Sequence, residues 1–99
     1  MMLHFEDKYM RFLSKKDCYA FYNEQILNAC KIFLSNTDTG LAVLAGCNRS
    51  FISEIRSGVK LIPYLMLKKW INLIQDETTI AFIELAYTDS IMSSIYLKN

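Results

Sequence analysis

Apolar positions recur at helical spacing along almost the whole chain. Met2, Phe5, Tyr9 and Phe12, spaced three, four and three apart, predict a short amphipathic helix in the first fifteen residues. Ser14 or Asp17 offers a cap for the next helix, along which Tyr19, Tyr22, Ile26, Ala29, Cys30 and Phe33 hold one apolar stripe. The run Ser35-Asn36-Thr37-Asp38 ends that helix and supplies capping oxygens for a short one over 37–45, whose apolar members are Leu41, Ala42, Leu44 and Ala45. Gly46-Cys47-Asn48 reads as a tight turn. Glycine reaches positive φ without a Cβ clash, so Gly46 is expected as a left-handed cap. Asn48 is then the N-cap of a helix over Arg49–Arg56, with Ile52 and Ile55 inward and Gly58 closing it.

Beyond a loop over 59–62, Pro63 stands where the first turn of a helix tolerates a missing N–H. Met66, Leu67, Trp70, Ile71 and Ile74 give that helix a buried face and leave Lys68 and Lys69 outward. A last helical pattern begins at Glu77 and places Ile80, Ile83, Tyr87, Ile91 and Ile95 on one stripe. Thr88-Asp89-Ser90 interrupts it, so the C-terminal segment reads as either helix or strand.

Three glycines and one proline leave few chain breakers, as in an all-helical chain with short connections. The expectation is therefore an all-α domain of five to six helices. It is a single domain over residues 1–99, with 1–16 an N-terminal extension. A hydrophobic fraction of 53% against 21% charged residues suits a packed globule with one further apolar face and argues against disorder.

The N-terminal residues mix charge with apolar side chains and do not form a secretory signal. The weakly polar stretch over 78–87 is broken by Glu84 and too short for a bilayer, so no membrane partner and a cytoplasmic location are expected. Cys18, Cys30 and Cys47 include no CxxC pair, and His4 is the single histidine. Such a set reads as reduced, buried thiols rather than a disulfide frame or a metal site. No glycine-rich phosphate loop occurs, and Glu84 with Asp89 lacks a shared basic partner. Neither an enzyme nor a cofactor is expected.

The net charge of +1 is unevenly distributed. Residues 1–45 balance five basic against five acidic groups. Residues 46–69 set Arg49, Arg56, Lys60, Lys68 and Lys69 against Glu54, and residues 70–99 set Lys98 against Asp76, Glu77, Glu84 and Asp89. Positive charge thus gathers in the middle third, where a phosphate backbone can collect it.

Within that third the run LAVLAGCNRSFISEIRSG, residues 41–58, resembles the helix-turn-helix of the phage repressor and Cro family. Leu-Ala in a first helix, glycine at the turn, a polar N-cap, an Ile-Ser-x-Ile core and a closing glycine all match, with Cys47 at the usual valine-type position. The resemblance implies a lambda-repressor-like domain with its helix-turn-helix over 37–58. Its function would be sequence-specific binding of double-stranded DNA, as a repressor of phage or mobile-element type acting as a homodimer on a palindromic operator. It implies Arg49, Ser50 and Glu54 as base readers. Phe51 stands where the family has a small or polar residue, and either meets a thymine methyl or covers the core. Asn48, Ser57, Lys60 and Thr37 are implied as phosphate holders. Asp38 and Gly40 depart from the family's pattern in the first helix.

A dimer is expected because a single reading helix contacts too few base pairs for useful specificity. Its candidate interface is the apolar, acidic segment 77–99, led by Tyr87, Ile91, Ile95 and Tyr96. The alternative is a protein-binding module, an antitoxin or phage anti-defence protein, built on a helix-turn-helix scaffold, with repression of its own promoter as a second role.

Overall fold

Ser14 opens the first helix: its Oγ accepts the Asp17 N–H at 3.1 Å, satisfying one of the amides a helix leaves unpaired at its start. The computed structural model describes residues 12–97. They form five helices, α1 (Lys15–Phe33), α2 (Asp38–Ala45), α3 (Arg49–Arg56), α4 (Tyr64–Leu73) and α5 (Glu77–Ile95), with no strand among the described residues. The helix expected from Met2 to Phe12 lies outside them except for Phe12. That residue precedes α1 and packs its ring against Phe21 and Tyr22, 5.3 and 5.7 Å away.

α1 is the spine. It packs against α5 on one side and against α2 and α3 on another. Its buried face, Cys18, Tyr22, Asn23, Ile26, Leu27 and Cys30, is accordingly wider than the expected stripe and turned from it. Tyr19 is half-buried and Phe33 is exposed. Asn23 enters the core because both of its amide hydrogens find acceptors: Nδ2 donates to Ile55 O at 2.9 Å and to Lys60 O at 2.8 Å. It thereby ties α1 to the end of α3 and the loop that follows.

α4 buries Met66, Leu67, Trp70 and Ile71, and Ile74 just past its end, the full set expected from the sequence. Pro63 sits one residue earlier than expected, as the N-cap in extended conformation. Trp70 is fully buried, and its indole N–H donates to Leu41 O at 3.1 Å, joining α4 to α2.

α5 resolves the helix-or-strand question of the C-terminal segment. Asp76 caps it by accepting from the Thr79 N–H at 2.9 Å and Oγ1 at 2.6 Å, and these bonds hold the Asp76 carboxyl below the usual carboxylate range. The helix then passes through Thr88-Asp89-Ser90 without a break. Ala86, Ser90 and Ser93 are buried and small, so α5 can lie close to α1, and Cys18 Sγ donates to Ser90 O across that contact at 3.7 Å. No helix among the described residues is long and apolar enough to cross a membrane.

Tyr87, expected at the interface, is instead buried within the chain. It is 9% exposed, and its hydroxyl donates to Ile62 O at 2.6 Å, so it is a core residue that pins α5 to the α3–α4 loop. Burial, with Tyr64 and Tyr19 nearby, pushes its pKa up. Of the three cysteines, all free thiols, Cys18 and Cys30 are buried as expected, whereas Cys47 is only half-buried. Burial pushes the Cys30 thiol up to about 12.

Candidate nucleic-acid interface

Four local signals shape the segment 37–58. Thr37 is the N-cap of α2 and its Oγ1 accepts the Gly40 N–H at 3.0 Å. Gly46, at φ 76°, ends α2 in the left-handed region: its N–H reaches Val43 O at 3.1 Å and the Cys47 N–H reaches Ala42 O at 2.9 Å. Asn48 caps α3 by accepting the Phe51 N–H at 3.0 Å. Gly58, at φ 86°, repeats the device, with Gly58 N–H to Ile55 O at 3.1 Å and Val59 N–H to Glu54 O at 3.0 Å. The result is two short helices joined by a three-residue turn.

α3 is strongly two-sided. Ile52 and Ile55 are fully buried against α1 and α2. At 100° per residue the opposite face carries Ser50, Ser53, Glu54 and Ser57, with Arg49 at its leading edge, and all five are exposed. Arg49, Ser50 and Glu54 are thus all on the surface, with Arg49 at one edge, 140° around the helix from Glu54. Ser53 belongs with them by the same helical period, although the sequence reading passed over it.

The chemistry available on this face is specific. Arg49 makes no ion pair or hydrogen bond with the described residues, so its guanidinium is free to donate. Ser50 Oγ donates to Asn48 Oδ1 at 2.7 Å, which commits the Asn48 oxygen twice and leaves its amide nitrogen outward-capable. Glu54 is half-neutralised by Lys60 at 3.3 Å. Lys60 also lies 4.7 Å over the Phe51 ring. Phe51 itself is half-buried against the core at the edge of the outward face. It therefore covers the core instead of standing among the readers. Ser57 Oγ donates to Glu54 O at 3.0 Å and stays exposed.

The positive middle third is partly spent inside the molecule. Arg56 bonds Glu24 of α1 through one guanidinium nitrogen and Asp38 of α2 through the other, the latter at 2.7 Å. Lys31 also reaches Asp38, at 3.1 Å. Burial alone would raise the Asp38 carboxyl, but the hydrogen bonds from Arg56 and Lys31 outweigh it and hold the group below the usual carboxylate range. Asp38 is therefore no obstacle to an approaching phosphate, because its charge is already matched. Lys69 is exposed, as expected, and reaches back to the end of α2, donating to Ala45 O at 3.2 Å. A cation beside the last carbonyls of a helix is favourably placed, and this one stands at the turn that leads into Arg49.

No known protein family, curated protein or solved structure matches this chain. The segment 37–58 is therefore read on its geometry alone. The four residues expected at a dimer interface divide: Tyr87 is core, while Ile91, Ile95 and Tyr96 are exposed on α5. Among the described residues no cluster of His, Cys, Asp and Glu is arranged to hold a metal ion.

Proposed function

We propose that the chain is a sequence-specific regulator that binds double-stranded DNA by inserting α3 into the major groove. The observation that carries this reading is the exposed outer face of α3. Arg49, Ser50, Ser53 and Glu54 project from a helix whose inner side is locked to α1 and α2. A helix with its side chains is about 10–12 Å across, and a major groove about 12 Å wide admits it. Arg49 donates two hydrogen bonds to guanine O6 and N7, and Glu54 accepts from cytosine N4 once it parts from Lys60. The Asn48 amide, the Ser57 hydroxyl, Lys60 and Thr37 at the two ends of the hairpin hold phosphates, with Lys69 adding charge at the turn.

With one reading helix per chain, the protein binds as a homodimer to a palindromic operator, in the manner of a phage or mobile-element repressor in the cytoplasm. Selection of bound sequences from a random duplex pool tests this. The expected product is a two-fold site with half-sites about 34 Å apart, bound with an affinity that falls steeply as salt rises. Recovery of no sequence, or binding indifferent to salt, overturns the reading.

One group of side chains favours a protein partner as the alternative: Leu85, Ile95 and Ile32 are exposed by 66, 64 and 77%. An antitoxin or anti-defence role on the same scaffold uses that surface, and its binding falls little with ionic strength.

A further inference from the structure

α5 carries apolar side chains on two faces about 120° apart. Its inner side, Ile83, Ala86, Tyr87, Ser90 and Ser93, is buried within the chain. On its outer side Phe82, Leu85, Asp89, Met92 and Tyr96 follow one another at spacings of three, four, three and four, the spacing of a helix–helix seam. Phe82, Leu85, Met92 and Tyr96 are exposed by 44, 66, 38 and 55%.

We propose that this stripe pairs antiparallel with the same stripe of a second copy of the chain. The stripe is its own complement when read backwards: aromatic, aliphatic, acidic, aliphatic, aromatic. An antiparallel partner therefore sets Phe82 against Tyr96 of the second copy, and Leu85 against its Met92, each contact occurring twice about a two-fold axis near Asp89. Asp89, near the axis, is half-buried and does not lack a partner within its own chain.

The surface beside Phe82 fits this partner. An open apolar cavity of about 390 Å³ lies between the end of α1 and the start of α5, walled by Ala29, Ile32, Phe33 and Phe82. In the antiparallel arrangement the second copy's Tyr96 arrives at its mouth. The exposed fractions of these side chains leave on the order of 600 Å² of apolar surface on each copy, and a specific interface takes about 800 Å² a side with its polar rim. No residue of 37–60 lies in the stripe or the cavity, so pairing leaves the outer face of α3 open. The proposal rests on the operator-binding reading for its purpose, and it keeps Tyr96 of the interface expected from the sequence while replacing Tyr87, Ile91 and Ile95 by Phe82, Leu85 and Met92.

The test is the mass of the full chain in solution at tens of micromolar without DNA, by sedimentation equilibrium. The wild type is expected to be a dimer. Leu85→Glu and Met92→Lys, each at an exposed position, are expected to weaken dimerisation about 100-fold or more with unchanged helical content. The two substitutions on one chain are expected to restore the dimer, because the introduced carboxylate of each copy then meets the introduced ammonium of the other. A monomeric wild type, single variants that remain dimeric, or a double variant that stays monomeric would each overturn the proposal. Duplex binding is measured separately. A dimer that ignores DNA sinks the operator reading alone, and a monomer that binds DNA with steep salt dependence sinks this proposal alone.

Discussion

Two glycines differ in what they demand. Gly46 and Gly58 both sit at positive φ, where an L side chain costs roughly 1–2 kcal/mol. At Gly46 a Cβ would meet nothing closer than Lys69 Nζ at 3.4 Å, so Gly46→Ala is expected to cost about that strain and no more. At Gly58 a Cβ would fall 2.1 Å from Lys16 O and 2.9 Å from Ala20 N, both backbone atoms of α1 that cannot step aside. Gly58→Ala is therefore expected to lower stability well beyond Gly46→Ala, and urea unfolding midpoints at equal m-value compare the two directly. Asn23 is the other decisive single residue. Asn23→Ala removes the donor to both Ile55 O and Lys60 O; Ile55 O keeps the Gly58 N–H, while Lys60 O loses its Asn23 partner, and a buried acceptor left so costs about 1–3 kcal/mol. If Asn23→Ala unfolds at the wild-type midpoint, the clamp between α1 and α3 is not holding the hairpin.

The two helices of the hairpin are held to α1 by the charged cluster of Glu24, Lys31, Asp38 and Arg56. Because the Asp38 carboxyl sits below its ordinary range in the folded chain, the stability it contributes is present above the unfolded value of about 3.9 and is lost as pH falls through the lowered one. Asp38→Asn is accordingly expected to be less stable than the wild type at pH 7, with the gap closing below about pH 4. Urea midpoints measured at both ends check this, and a gap that stays constant with pH contradicts the pairing. The boundaries of α2, the turn and α3 were legible in the sequence because their signals are local: a Thr cap, a glycine, an Asn cap and a second glycine within 22 residues. The Arg56 bonds of the charged cluster and the Asn23 clamp were not, because they join residues 18 and 32 or more positions apart. The stripe read along α5 failed for a geometric reason. Steps of four residues advance 400°, so from Ile83 to Ile95 the line drifts about 120° around the helix, from the core to the surface. The true inner face there contains serines, selected for size against α1, which a hydrophobic pattern passes over.

At the scale of the molecule, α1 separates two surfaces of opposite character. On one side the outer face of α3 is polar and presents Arg49. On the other, α5 presents an apolar stripe with an acidic centre. In the proposed reading the first surface meets a duplex and the second a second copy of the chain, and Arg49, unpaired among the described residues, points outward although the net charge is only +1. The most direct test is the affinity of wild type and Arg49→Ala for the selected duplex and for a random duplex, in parallel, across a salt series. The account predicts that the variant loses about 1–3 kcal/mol on the selected site and relaxes its choice at one base pair, with little change on random DNA. Equal affinity of the two proteins for the selected duplex at every salt concentration would contradict it.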